Sequence, residues 1–500
     1  MEKRQIQIAD VRPLVSAIGG ILCLTMAAPA IAAIQMMTDQ ELSDTTGQAL
    51  LNTAYIAPLA ANNPMRNITG ANNMGYYRVG IEGIIDLNAN IRSLQLGCNS
   101  VNGAGCDIDI RNLALSGLPS NFDTGLGLIP NTSNNGNPLY TNAGGRAATS
   151  AQLTNPFFEV AIRNPDTAST REIAGVRFSA EQIQGLLTAG LTNGTAPSTT
   201  DGIQRLSGFM RIAGTTGDVN TQATLFGKQP SHQIQGLLNA LGFDRTFTSD
   251  PGDADTLGIS VPQMNAGFTM PAFQVNGSRR NVASVNGVTT TIAEIPLANG
   301  PNNQLRVRWS PAILLVASSA KIRLAAGSKI QNLNMSITFN QSLSMFHNIP
   351  LTGSGGYLAL QSGDMLWPGA YVDPADAAKT SLATMTQSDV AKRGWWMAFD
   401  KPVQLGYLQA ADLVNIDAVL PQVATLMTNE LLKEENRVYA PTGAALGTLF
   451  GITMTTPNPI IVDLNAATLA SPATLTLSNL KLVNQELTAN CYSGSGLSFC

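Results

Sequence analysis

Two histidines, five cysteines, a tryptophan-rich stretch and one acidic turn are the places where this sequence could do chemistry. His232 and His347 are the whole supply of imidazole, which is thin for acid–base work or metal binding. One sits with a Gln-Ile-Gln-Gly-Leu-Leu segment and the other follows Met345-Phe346, so both read as structural. Cysteines 98, 106, 491 and 500 fall into two local pairs, each closing a short loop rich in Gly, Ser and Asn. The spacing does not suit zinc and no histidine lies near either pair. Disulfides Cys98–Cys106 and Cys491–Cys500 are therefore expected, in an oxidising compartment. The turn Asp250-Pro251-Gly252-Asp253-Ala254-Asp255 offers three carboxylates, but it lacks the spacing and closing Glu of a calcium loop and reads as a solvated turn. Residues 350–410 carry Trp367, Trp395 and Trp396 beside Tyr371, Phe399 and Tyr407. Such aromatics could stack on a sugar ring as binding residues, although large aromatics more often build a core.

The recognisable catalytic patterns are missing. There is no G-x-x-x-x-G-K-[ST], no G-x-G-x-x-G after a strand, no H-E-x-x-H and no G-x-S-x-G. A Ser/His/Asp triad needs no sequence proximity and stays open on composition alone. No spacing points to a carboxylate pair for sugar hydrolysis. The expectation is a non-enzymatic protein with no catalytic, cofactor or metal residues.

The elements that would position these residues read as strands. Ile110-Arg111-Asn112-Leu113-Ala114-Leu115 returns as Ile330-Gln331-Asn332-Leu333-Asn334-Met335 and as Leu477-Ser478-Asn479-Leu480-Lys481-Leu482. A looser copy is Ile91-Arg92-Ser93-Leu94-Gln95-Leu96. Apolar residues stand first, fourth and sixth in each, and the last four alternate as in a half-buried strand. Further strands are expected at 76–87, 89–96, 108–116, 157–163, 202–212, 288–295, 304–310, 313–317, 321–324, 332–339 and 393–399, and in the stretch 459–487. In 157–163, Phe158, Val160 and Ile162 share one face. A long surface loop is expected at 117–150. Short helices are expected at 38–48, from a Thr38/Glu41 capping box, at Asp373-Pro374, and at the two Gln-Ile-Gln-Gly-Leu-Leu copies, 180–191 and 231–242. The clearest helix pattern is 421–436, with one largely apolar stripe that Glu430 interrupts.

The fold class is thus mainly β: a large antiparallel, elongated β-sheet body with a few short helices and one amphipathic helix. The expected divisions are a signal peptide at 1–32, an N-terminal segment at 33–75, a main β-body at 76–346 and a C-terminal β-rich region at 347–500. The signal reading rests on basic Lys3, Arg4 and Arg12, an apolar run at 14–26, and Ala30-Ile31-Ala32 before the cleavage point. Charged residues are 12% and net charge is −4, which gives no basic footprint for nucleic acid. The Leu-Ser-Phe-Cys ending and unsustained ten-residue strands argue against an outer-membrane barrel.

The stretch Asp39-Gln40-Glu41-Leu42-Ser43-Asp44-Thr45-Thr46-Gly47-Gln48 resembles the opening of exported surface proteins of Acinetobacter and related gammaproteobacteria, the Fil-type pilus assembly group. Residues 156–164 and 172–177 are similar to the same group, and the resemblance covers the first half of the chain. It implies a surface or pilus-associated role, with envelope or pilus-assembly proteins as partners, and brings no catalytic residues. The alternative is a periplasmic carrier that holds a hydrophobic ligand against an open β-sheet.

Overall fold

The computed structural model describes residues 51–117, 122–123, 129–130, 150–191, 196–240, 242–310, 319–354, 356–399, 401–403, 405–409, 413–440, 453–465 and 473–483. The expected signal peptide, the helix at 38–48, most of the loop at 117–150, the strand at 313–317 and the Cys491–Cys500 pair lie outside them. The chain is mainly β.

The first part builds one large sheet from β1 (Leu51–Ile56), β2 (Met74–Ile81), β3 (Ile84–Leu87), β4 (Ala89–Leu96) and β5 (Ile108–Ser116). The short β6 (Phe122–Asp123) and β7 (Ile129–Pro130) pair with each other. The long β8 (Ala151–Arg163), β9 (Glu172–Ala189) and β10 (Gly202–Ile212) return to the large sheet. Next come β11 (Thr215–Asn220), β12 (Thr224–Phe226), the hairpin β13 (Gln235–Ala240) and β14 (Phe243–Ser249), then β15 (Ile259–Val261), β16 (Asn265–Met270) and β17 (Phe273–Arg280). The last three retrace the path, antiparallel to β12, β11 and β10 in turn. A second excursion does the same: β18 (Val282–Pro296) and β19 (Leu305–Arg308) pair with β21 (Lys329–Ser342) and β20 (Ser319–Arg323).

The C-terminal part is laid along these ribbons. It holds β22 (Asn348–Gly353), β23 (Tyr357–Gln361), β24 (Gly394–Ala398), β25 (Tyr407–Gln409), the helix α1 (Leu420–Leu431), β26 (Val438–Tyr439), β27 (Thr453–Thr455), β28 (Ile461–Asp463), β29 (Ala473–Ser478) and β30 (Lys481–Val483). β24, β25 and β26 run parallel to β10, β11 and β13, while β27, β28 and β29 run parallel to β20 and β21. Most pairings are antiparallel, as expected, and the four larger sheets also take in parallel strands, so they are mixed. Parallel pairing needs long connections, which the chain supplies by returning after roughly 130 to 200 residues. Strands from both sides of the expected 346/347 division share sheets.

Two helix expectations give way to strands. The first Gln-Ile-Gln-Gly-Leu-Leu copy lies in β9 and the second enters β13. Their glycines serve close cross-strand approach: a Cβ on Gly185 would meet Ala151 Cβ at 2.5 Å, and one on Gly236 would meet the Phe247 ring at 2.5 Å. Asp373-Pro374 opens a run of turns instead of a helix, with the Asp373 side chain accepting from the Ala375 N–H at 2.9 Å. α1 ends at Leu431, short of 436, and a 3-10 turn follows at Glu434–Asn436. Leu420, Val423, Ala424, Met427 and Leu431 form its buried face. Glu430 stays at the rim, paired with Lys433 at 2.7 Å.

The recurring strand phrase has a physical reason. Its third residue takes left-handed backbone in all three close copies: Asn112 at φ 53°, Asn332 at 57° and Asn479 at 54°. Asparagine tolerates that region better than other residues with a Cβ. The turn of the chain there breaks the alternation by one, so the first and fourth positions both face the core. Ile110, Leu113, Ile330, Leu333, Leu477 and Leu480 are all buried. The side chains also bond to segments distant in the chain, Asn112 Nδ2 to Asp201 at 2.8 Å and Asn332 Nδ2 to Asp463 at 2.9 Å. Replacing Asn332 with alanine is expected to cost about 1–3 kcal/mol, from backbone strain plus the lost bond. Asn332→Gly is expected to cost less, and urea unfolding of the pair measures the difference.

Candidate functional site

The site is a sheet face, and its geometry follows from strand register. Residues paired directly across strands point to the same side, and neighbours along a strand point to opposite sides. One row runs Thr53, Val79, Phe158, Phe178, Leu358, Met397 across β1, β2, β8, β9, β23 and β24. The next row on that side runs Tyr55, Tyr77, Val160, Val176, Leu360, Trp395. The row between them, on the other side, is Ala54, Arg78, Glu159, Arg177, Ala359, Trp396.

The sheet buries its charged side. Glu159 is 0% exposed and Arg177 2%, and their side chains meet at 2.6 Å. Arg78 reaches Glu159 from the rim at 3.2 Å. Arg177 also donates to the Pro368 carbonyl at 2.8 Å and lies over the rings of Phe157, Tyr357 and Trp367. Beside this pair, Asp389 accepts from the Tyr357 hydroxyl and from Trp396 Nε1, each at 2.8 Å. Burial pushes the Asp389 carboxyl up to about 7, against those two bonds and Arg177, which pull it down. Met65, Ile68, Leu366 and Trp367 pack in the same core cluster.

The other side carries no charge in either row, yet over β1, β2, β8 and β9 it is open, while Leu358, Met397 and Trp395 on β23 and β24 pack against the main core. Phe178 is 50% exposed, Val79 48%, Tyr55 44%, and Tyr77 and Phe158 40% each. Ile173, near the end of this face, is 65% exposed. Tyr55 and Tyr77 stack at 4.3 Å between centroids. Phe158, Val160 and Ile162 do share a face, but it is the open one; Phe157, Glu159 and Ala161 point into the core.

At its β23–β24 end this face runs into two hollows. Strands β9, β23, β24, β10 and β5 close a ring by successive pairing. A cavity of about 190 Å³ lies against it, lined by Leu115, Phe178, Ile183, Leu187, Leu358 and Met397 among others. A second hollow, of about 450 Å³, is bounded by Val101, Ile173, Val176, Leu360, Arg393 and Trp395.

The disulfide loop forms one wall of that second hollow. Cys98 and Cys106 are bonded, as expected. Buried Asp107 clamps the loop to the sheet: it accepts from Arg279 Nε at 3.0 Å, Asn102 Nδ2 at 3.0 Å and the Trp395 N–H at 3.1 Å. Replacing both cysteines with serine is expected to cost about 2–3 kcal/mol, the loop-closure value for a ring this small. A thermal melt with and without reductant measures it, and the serine variant is expected to be insensitive to reductant at this loop.

The three tryptophans separate. Trp367 and Trp396 are 0% exposed and their rings belong to the core, so neither offers a stacking platform. Trp395 is half-buried on the open face. His232 and His347 are buried, far from one another in chain and partners: His232 stacks on Phe226, and His347 Nδ1 lies 2.8 Å from the Ala189 carbonyl. Burial lowers both imidazole pKa values. The acidic turn is answered by cations, with Asp250 and Asp253 on Arg308 and Asp255 on Lys321 at 3.1 Å. Among the described residues no group of three or more His, Cys, Asp or Glu could hold a metal. No helix among them is long and apolar enough to cross a membrane.

The fold and site together define a mainly β chain with one open apolar sheet face. No protein-family model, curated protein or solved structure matches it.

Proposed function

We propose that this chain is an exported, non-enzymatic cell-envelope or surface protein, pilus- or fimbria-associated or adhesive, that seats another envelope protein on its open sheet face. The observation that carries the reading is the inverted sheet: the charged row is buried and the aromatic and aliphatic rows face out. Exposed apolar area on Tyr55, Tyr77, Val79, Phe158, Ile173, Phe178 and Leu360 totals on the order of 600 Å², at the upper end of what monomers leave open. Covering it supplies a gross driving force on the order of 15 kcal/mol, enough to offset the cost of association.

The test is fractionation of cells carrying tagged wild-type chain or the Phe158→Asp/Phe178→Asp double variant. Wild type is expected to be cut by protease on intact cells and to come off with sheared surface material. The variant is expected to appear free in the soluble fraction, with a melting temperature within about 3 °C of wild type, since both rings are half exposed. Identical fractionation of the two proteins would remove the reading.

The carrier alternative has two observations in its favour, the apolar cavity of about 190 Å³ and the neighbouring hollow of about 450 Å³. The smaller suits the tip of an alkyl chain, and the larger falls in the range of ligand sites, which typically start near 300 Å³. Native mass spectrometry of the purified protein decides it. A co-purifying lipid mass that Leu358→Lys removes would favour the carrier.

A further inference from the structure

We propose that the hollow of about 450 Å³ beside the disulfide loop binds a single-chain amphiphile with an anionic head, its alkyl chain in the hollow and its head on Arg393. This rests on the hydrophobic-ligand reading of that hollow and names the ligand class. The hollow draws on β9, β23, β24 and the disulfide loop, so β1, β2 and β8 stay free for a docked protein.

The first argument is the lining. Strand register sets Val176, Leu360 and Trp395 side by side on one side of β9, β23 and β24, where they floor the hollow. Ile173 flanks them from β9, and Val101 stands on the disulfide loop that walls it. Both are 65% exposed. One exposed aliphatic residue needs no explanation. Two of them in one hollow with Leu360 and Trp395 give an alkyl chain apolar contact from floor and wall alike. Three polar side chains of the lining are already bonded within the chain. Buried Asp107 answers Arg279, Asn102 and Trp395, Gln361 Nε2 donates to the Lys392 carbonyl, and Ser362 Oγ donates to the Ala174 carbonyl at 3.1 Å.

The second argument is charge. Arg393 lines the hollow and is exposed. Its backbone is held on both sides: its N–H donates to Asp364 at 3.3 Å and its carbonyl accepts from Asn102 Nδ2 at 2.9 Å. Its guanidinium forms no ion pair among the described residues, while Asp364 is paired with Lys392 at 2.8 Å and Asp107 with Arg279 at 3.0 Å. An uncommitted guanidinium takes a carboxylate or phosphate through two parallel N–H bonds. Beside an apolar lining it selects an anion joined to an alkyl chain. A fatty-acid carboxylate and a lipid phosphate share that chemistry. The Cys98–Cys106 bond and the Asp107 clamp fix the loop wall before a ligand arrives, which cuts the ordering cost of binding.

The experiment is intrinsic fluorescence of the purified chain titrated with ω-bromodecanoate, with decanoate, decyl phosphate and decanol as competitors. Trp309, Trp367 and Trp396 are buried, whereas Trp395 is half-buried and lines the hollow, so quenching by bromine reads that site. Saturable quenching is expected, and decanoate or decyl phosphate is expected to displace the probe about tenfold more effectively than decanol. Arg393→Gln is expected to bring that preference below about twofold with an unchanged melting temperature, since the residue is exposed. Trp395→Phe is expected to abolish the quenching while calorimetry still detects decanoate binding.

Decanol that competes as well as the anions, or a preference that Arg393→Gln leaves intact, overturns the proposal and keeps the hollow as a site for apolar ligands. Quenching that survives Trp395→Phe puts the ligand elsewhere and also overturns it. Absence of saturable quenching, with no decanoate binding by calorimetry, overturns the proposal together with the carrier reading of this hollow. A tighter fit for either anion supports the proposal and separates a free fatty acid from a phosphate-bearing lipid.

Discussion

Arg177→Ala is expected to destabilise the chain by roughly 3–5 kcal/mol, more than loss of the Cys98–Cys106 disulfide. Arg177 is 2% exposed and Glu159 0%. Removing the guanidinium leaves a carboxylate inside the core with only the rim residue Arg78, at 3.2 Å, to answer it. It also empties the space among the rings of Phe157, Tyr357 and Trp367 and orphans the Pro368 carbonyl. Arg177→Lys keeps the charge but loses the planar fork that bonds Glu159 and Pro368 while lying over rings, so it is expected to recover only part of the loss. The double change Arg177→Met/Glu159→Met is expected to cost less than Arg177→Ala, because no charge is left buried without a partner. Chemical denaturation of the three variants measures the order. An Arg177→Ala protein that unfolds within about 1 kcal/mol of wild type would show that the pair does not hold this sheet.

Asp389→Asn is expected to change how stability depends on pH. The buried Asp389 carboxyl has its pKa pushed up to about 7 by burial, above the value near 4 that it has in the unfolded chain. A raised folded pKa gives a contribution that is fully present below the unfolded value and is lost as pH rises through the folded one. The loss therefore runs from about pH 4 to about pH 7 and is on the order of 4 kcal/mol when complete. Asparagine does not ionise. Its Oδ1 can keep the bond from Trp396 Nε1, while its Nδ2 can donate to the Tyr357 hydroxyl. Wild-type stability minus Asp389→Asn stability is expected to fall across that window and stay flat above it. Taking the difference removes the opposite trend from groups such as Asp253 and Asp463, whose pKa values are lowered by hydrogen bonds and whose contribution is lost as pH falls. Thermal melts of both proteins at pH 4, 5.5, 7 and 8 make the test. Parallel curves would mean that Asp389 is not held protonated by the core.

The local chain determined its own strands. Residues 108–116 and 202–212 form strands at the expected bounds, because their branched and aliphatic residues alternate against polar ones. The local pair Cys98 and Cys106 could be read from spacing, since a loop that short closes on itself. The recurring phrase was legible as a pattern, and its apolar first and fourth positions already departed from period two. What the asparagine does there is a backbone property of the folded strand. The Gln-Ile-Gln-Gly-Leu-Leu copies went the other way: local preference suggested helix, and cross-strand neighbours at Ala151 and Phe247 took the glycines into sheets.

The candidate site was half visible. Alternation in 157–163 separates Phe158, Val160 and Ile162 from Phe157, Glu159 and Ala161, so two faces follow from sequence alone. Which of them is covered does not. Sequence rules put the charged side in water, and the fold puts it against Trp367 and Met65, because Arg177, some twenty residues away in the chain, neutralises Glu159 there. Registering six strands drawn from residues 51–56 through 394–398 then aligns the apolar side chains into rows. Strand period is a local property, while burial and charge pairing depend on contacts between distant segments, and only the tertiary structure brings those together.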